Sequence, residues 1–120
     1  MSLKDCYTSL GGNFDEVFGR LRSERMIQKF VLKFLNDASF DNLCAALKEG
    51  NAEEAFRAAH TIKGVCQNLS FTKLGQSSSE LTEALRGGLS PEAGQLAEQV
   101  KADYQQTVSA IREFEAEINA

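Results

Sequence analysis

The sequence is short of several residue types that often anchor chemistry or interrupt folding. Of its 120 residues one is proline, one is histidine, three are cysteine and none is tryptophan. A single proline, with few runs of β-branched residues, leaves little to break helices. Cys6, Cys44 and Cys66 are far apart, show no CxxC spacing and have no second histidine to join, so neither a zinc site nor a disulfide framework is indicated. An odd number of cysteines without a leader-like start fits a reducing, cytoplasmic setting. Long apolar runs are also missing: Phe30-Val31-Leu32 ends at Lys33, and no stretch is expected to span a membrane. Nor is there an excess of positive charge. Thirteen Lys and Arg face seventeen Asp and Glu, a net charge of −4, which argues against nucleic acid as the main partner.

What is present is a composition for one folded unit, 42% hydrophobic and 25% charged. No linker or repeat divides residues 1–120, and no segment alternates with the period of a strand. Helical spacing recurs instead. Asn13 can cap a short helix through about Leu21. Ser23 can cap a second, with Met26, Ile27, Phe30, Val31, Phe34 and Leu35 on one face, ending at Asn36-Asp37. Ser39 is read as the cap of a shorter helix with Leu43, Cys44 and Leu47 inward, closed by Gly50. Asn51, with Glu54 three residues on, makes a capping-box-like start for a helix to about Leu69. Ser70 or Thr72 restarts a helix with Leu74, Ser78, Leu81 and Leu85 on one stripe, ended by Gly87-Gly88. Ser90-Pro91 opens the last and longest helix, with Leu96, Val100, Tyr104, Val108, Ile111, Phe114 and Ile118 inward. The fold expected is all-α: an antiparallel four-helix bundle with additional short helices on the N-terminal side.

The one histidine lies in AAHTIKGVCQNL, residues 58–69. At about 100° per residue, Ala55, Ala59, Ile62, Cys66 and Leu69 fall within roughly 80° of one another and form the buried stripe. His60 lies about 140° from the centre of that stripe and faces away from the core. Lys63 and Gln67 share its side one and two turns on, Gly64 sits between them, and Arg57 and Glu53 complete the polar face. Phe56 falls at the edge of the stripe, a position that suits either core or rim, with core the favoured expectation. A glycine within a helix costs roughly 0.5–1 kcal/mol relative to alanine, so close packing, a kink or access for a partner should offset it.

A neutral imidazole is a competent nucleophile near neutral pH. If it were to carry a phosphoryl group, an ammonium nearby would stabilise the oxygens, and a missing side chain would let another protein's active site approach. An exposed histidine beside a lysine is also ordinary on a solvated helix face. Geometry alone therefore leaves open a non-catalytic helical adaptor in which His60 is never modified. Ser77-Ser78-Ser79 reads as a place of close helix packing, and Cys66 as inert core.

The string AHTIKGVCQNLSFTKLG, residues 59–75, resembles the signature of histidine-containing phosphotransfer (HPt) domains, AHxLKGxxxxxG followed by a helix rich in small residues and leucine. Ala59, His60, Lys63, Gly64, Asn68 and Leu69 match, and Ile62 replaces a leucine. Ser70 departs from the pattern, standing where the family usually has glycine. The resemblance implies a four-helix bundle and a relay in which His60, through Nε2, takes a phosphoryl group from the aspartate of a response-regulator receiver domain or returns one. It implies that Lys63 neutralises phosphoryl charge, that Gly64 clears the docking surface and that Gln67 bonds near the site. Arg57 belongs to the same binding face. Family members often orient the ring with a polar side chain from the following helix. Here Ser79, Thr82 and Glu83 are the candidates, Thr82 foremost. Mg²⁺ would belong to the receiver, leaving this chain without cofactor, metal ligands or ATP site. The partners implied are a receiver domain and a hybrid sensor histidine kinase. A free-standing monomer is expected.

Overall fold

Short polar side chains set most of the helix starts. In the computed structural model, which describes residues 1–120, the helices are α1 (Leu3–Leu10), α2 (Phe14–Leu21), α3 (Glu24–Lys33), α4 (Ser39–Lys48), α5 (Ala52–Leu69), α6 (Thr72–Leu85) and α7 (Pro91–Ile118). A 3₁₀ turn, Phe34–Asn36, follows α3. Asn13, Ser23, Asn51 and Ser90 each accept a hydrogen bond from the backbone N–H three residues on, at 3.0, 3.2, 3.1 and 3.1 Å. Each satisfies one of the donors a helix start leaves unpaired. The reciprocal half of the box expected at Asn51 is not made, because the Glu54 carboxylate lies 3.2 Å from Nη1 of Arg57 instead.

Two local expectations are corrected. Ser39 is the first residue of α4, not its cap; the Ser39 N–H donates to Oδ1 of Asp37 at 2.8 Å, so the aspartate two residues earlier does that work. Cys44 is exposed, because α4 buries Leu43 and Ala46 and leaves Leu47 at the edge.

The chain is all-helical, and α5 is its hub. It packs against α4 on one flank and α6 on the other, α6 packs on α7, and α1 lies along α7. Phe40 of α4 stacks on Tyr104 of α7 with centroids 3.9 Å apart. Close approach of α5 and α6 is built from small residues. A Cβ on Gly75 would come within 3.2 Å of the Cys66 Cβ, and Ser77 and Ser78 are buried at the same seam. In α7 the buried seam runs through Val100, Asp103, Thr107, Ala110 and Phe114, alternating steps of three and four as a helix packed between two neighbours does. Leu96, Tyr104 and Val108 are half-buried at its flank, and Ile118 is exposed. Asp103, unexpected in such a seam, accepts from Nε2 of Gln99 at 3.0 Å and lies 3.9 Å from Nζ of Lys73.

The segment before the bundle is fastened to the turn between α5 and α6. Tyr7, buried on α1, donates its hydroxyl to the Leu69 carbonyl at 2.7 Å. Asn13 N–H donates to the Ser70 carbonyl at 2.9 Å, and Lys73 N–H to the Gly11 carbonyl at 3.0 Å. This backbone contact requires Gly12, where an added Cβ would stand 2.7 Å from the Ser70 carbonyl oxygen. Phe71, fully buried in the same turn, meets Tyr7 and Phe34 with ring centroids 5.6 and 5.2 Å away.

Candidate functional site

α5 is an 18-residue helix whose inner side is pinned by Ala55, Ala58, Ala59, Ile62, Cys66 and Leu69. His60 projects from the opposite side and is exposed, as the helical spacing predicts. The residues expected around it fall into three groups.

Lys63 and Gly64, one turn on, are half-buried beside His60. No carboxylate pairs with the Lys63 ammonium, whereas Arg20, Arg57, Lys73 and Arg86 all have acidic partners. A Cβ built on Gly64 would meet nothing within 4 Å. The glycine therefore relieves no crowding inside the protein, and α5 continues through it without interruption. Neither close packing nor a kink accounts for the glycine here.

Arg57 and Gln67 are exposed on the same helix. The Arg57 guanidinium is drawn back toward the helix start by Glu53 and Glu54, at 3.8 and 3.2 Å. These are solvated pairs one turn apart and easily broken.

Thr82, the leading candidate for orienting the imidazole, does not do so. It is 0% exposed, and its hydroxyl donates to the Ser78 carbonyl at 2.7 Å. The exposed Glu83 is engaged by Nε of Arg86 at 2.9 Å. The ring's aromatic neighbour is Phe56, one turn earlier on α5, with planes 7° from parallel and centroids 6.0 Å apart. Phe56 is half-buried, packed against the core beside the histidine rather than within it.

The sequence gives no local sign of what closes α5. Helix C-termini collect unpaired carbonyls and negative potential. Arg20, on α2, donates from Nη2 to the Gln67 and Asn68 carbonyls at 3.0 and 2.8 Å, and to Oγ of Ser70 at 2.7 Å. Ser70 in turn donates to Glu16 at 2.6 Å, and this bond, ahead of the Arg20 charge, holds the Glu16 carboxyl below the usual range. Ser70 adopts the left-handed conformation at φ 56°. The helix thus ends where a glycine would end it, with the serine's strain offset by bonds a glycine could not make. Nothing near Ser70 in the sequence points to this clamp, because Arg20 is nearly fifty residues away. Removing it with Arg20→Ala should lower stability by roughly 1 kcal/mol and speed amide exchange in the last turn of α5. Unchanged exchange at Leu69–Phe71 would show that the clamp carries no weight.

The cysteines offer no competing nucleophile inside the fold. Burial pushes the Cys66 thiol up to about 12 and the Cys6 thiol to about 11. No three His, Cys, Asp or Glu side chains gather as a metal site, and no helix is long and apolar enough to cross a membrane. An open groove of about 730 Å³ lies between α3 and the C-terminal end of α5, lined by Phe30, Phe34, Val65 and Leu69 with Arg20 and Lys33, and none of His60, Lys63, Gly64 and Gln67 lines it.

Against known proteins, a family model described as "Hpt domain" matches residues 30–110, more than half of the chain, and spans α3's end to α7 with His60 inside it. No curated protein matches, and no solved structure does. A helical bundle and that match agree: the chain belongs to the Hpt domain family, whose members are phosphotransfer modules of two-component phosphorelays.

Proposed function

We propose that His60 is the phosphoacceptor of this chain, taking a phosphoryl group from, and returning it to, the aspartate of a response-regulator receiver domain. The observation that carries this reading is the pairing of an exposed lone histidine with Gly64, whose missing side chain opens outward and serves nothing within the protein. In the step proposed, the Nε2 lone pair attacks phosphorus in line, the N–P bond forms, and the bond from phosphorus to the aspartyl oxygen breaks. Aspartate leaves as a carboxylate. The ring keeps its Nδ1 proton, and the positive charge it gains is balanced by the phosphoryl oxygens. The uncommitted Lys63 ammonium stabilises those oxygens. Mg²⁺ and the acidic pocket belong to the receiver, so the chain acts as a relay intermediate and not as an enzyme in its own right.

The receiver docks over the His60 face of α5, with α4 to α7 as the antiparallel four-helix core holding that face rigid. Gln67 and Arg57 lie within reach of a docked partner, Arg57 after release from its two glutamates. The chain works as a cytoplasmic monomer, with a hybrid sensor histidine kinase as the source of phosphorylated receiver.

Incubation with ³²P-charged receiver domains and Mg²⁺ tests this. An acid-labile, base-stable label is expected on the protein, and none on His60→Gln, which should still bind the receiver. Label retained by His60→Gln would move the site elsewhere. No label from a broad panel of active receivers would leave the adaptor reading in its place.

A further inference from the structure

An exposed imidazole samples several rotamers, and in-line attack accepts few of them. Something must therefore limit the ring, yet of the α6 side chains expected to do so Thr82 and Glu83 have other partners, and the half-buried Ser79 makes no hydrogen bond to the ring. Thr82 bonds the Ser78 carbonyl inside the core, and Glu83 is bound to Arg86. We infer that Phe56, steadied by Arg86, positions the His60 ring for transfer by stacking; this rests on the reading of His60 as phosphoacceptor.

Phe56 and His60 are four residues apart on α5 and meet on one side of it. Their rings are 7° from parallel with centroids 6.0 Å apart, within the range of offset aromatic pairs. Phe56 is in turn fixed from both helices. Its inner edge packs on the core, and the Arg86 guanidinium lies 4.9 Å from its centroid, over the ring. Arg86 also pairs with Glu83, one turn back on α6, at 2.9 Å, a solvated contact that leaves the Phe56 ring to fix the guanidinium's other side. The chain of contacts thus runs from the end of α6 through Phe56 to the imidazole. A shallow pocket formed by Ala52, Phe56, Leu85 and Arg86 marks where the two helices meet.

Stacking has a chemical consequence that a polar orienter lacks. It restrains the plane of the imidazole through its face and occupies neither nitrogen. Nε2 stays free to attack, and Nδ1 stays free to hydrogen-bond water. Phe56 is therefore a positioning residue, acting through His60, and makes no bond to the phosphoryl group.

Phe56→Leu, Phe56→Tyr and Arg86→Met test the inference by two readouts. The first is the pair of His60 ring C–H resonances, which the phenyl ring current displaces. They should move to the values of a free exposed histidine in Phe56→Leu, stay near wild type in Phe56→Tyr and move part-way in Arg86→Met. The second is single-turnover transfer from a phosphorylated receiver. Its saturating rate should fall about tenfold in Phe56→Leu, with little change in the half-saturating receiver concentration, and Phe56→Tyr should restore it. If Phe56→Leu folds poorly, Arg86→Met carries the test, with a rate loss of about threefold alongside its resonance shift. Unchanged ring resonances, or an unchanged saturating rate, would overturn the inference. So would a rate loss that the tyrosine does not rescue. Wild-type protein that accepts no phosphoryl group would overturn the phosphoacceptor reading as well; normal labelling with an indifferent Phe56→Leu would overturn this inference alone.

Discussion

Replacing Gly64 with leucine should leave the protein at least as stable as before while slowing phosphoryl transfer from a receiver tenfold or more. The two halves of this result have different causes. A Cβ at residue 64 meets nothing within 4 Å, so a side chain can start outward there without an internal clash. It also removes the entropic handicap of glycine, and Gly64→Ala should raise stability by about 0.5–1 kcal/mol. The same side chain stands beside His60, where a docked receiver must bring its aspartyl phosphate to within bonding distance of Nε2. A gap of even one side chain's thickness there is large compared with the tolerance of in-line attack. Urea midpoints and single-turnover transfer measured on Gly64→Ala and Gly64→Leu would separate the effects. Full transfer by the leucine variant would remove partner access as the reason for the glycine. A loss of stability would mean that the glycine serves the fold after all.

Phe71→Ala should have the largest effect on stability, a loss of about 3–5 kcal/mol. The ring is 0% exposed and fills the junction where the α5–α6 turn, the 3₁₀ turn and α1 meet, between Tyr7 and Phe34. Little can collapse into the space it leaves, because backbone hydrogen bonds fix the surrounding turns in place: Asn13 to Ser70, Lys73 to Gly11, Phe71 to Cys66. Domains of this size are stable by about 5–15 kcal/mol, so the variant should sit near the edge of unfolding, with Tm lowered by more than about 10 °C. Thermal and denaturant melts decide it. A loss under about 1 kcal/mol would mean that this junction is not the keystone the packing describes.

The parts of this structure that could be read from the sequence are those governed by neighbours along the chain. Asn13, Ser23, Asn51 and Ser90 cap their helices through bonds to the third residue on, a relation fixed by local geometry. The exposure of His60 and the burial of Ile62 and Cys66 follow from the helical repeat alone. The readings that failed are those needing a second element. A wheel drawn on one helix shows an inner and an outer side but not where the neighbouring helix sits. Thr82 is therefore expected near the imidazole when it points into the core, and Phe56, which the wheel leaves between core and rim, is half-buried against the core. Cys44 lies just off the arc that α4 buries, too small a rotation for periodicity to resolve. Helix α1 was not anticipated because Leu3, Cys6, Tyr7 and Leu10 make a short pattern that becomes persuasive only against α7. Arg20, which caps α5 from α2, is a contact between residues almost fifty apart and leaves no local trace.

The central claim is that the imidazole of His60 forms the bond to phosphorus, and the sequence makes that unusually direct to observe. It contains a single histidine, so every imidazole signal of the protein belongs to residue 60. The decisive measurement is a two-bond ¹H–¹⁵N spectrum of uniformly labelled protein, recorded before and after addition of a phosphorylated, unlabelled receiver domain with Mg²⁺. The account predicts that the Nε2 resonance moves to the position of a phosphorylated nitrogen, persists at alkaline pH and returns on acidification, while Nδ1 keeps the shift of an unphosphorylated ring nitrogen. An imidazole spectrum that does not change, with receivers that remain active toward other acceptors, would contradict it.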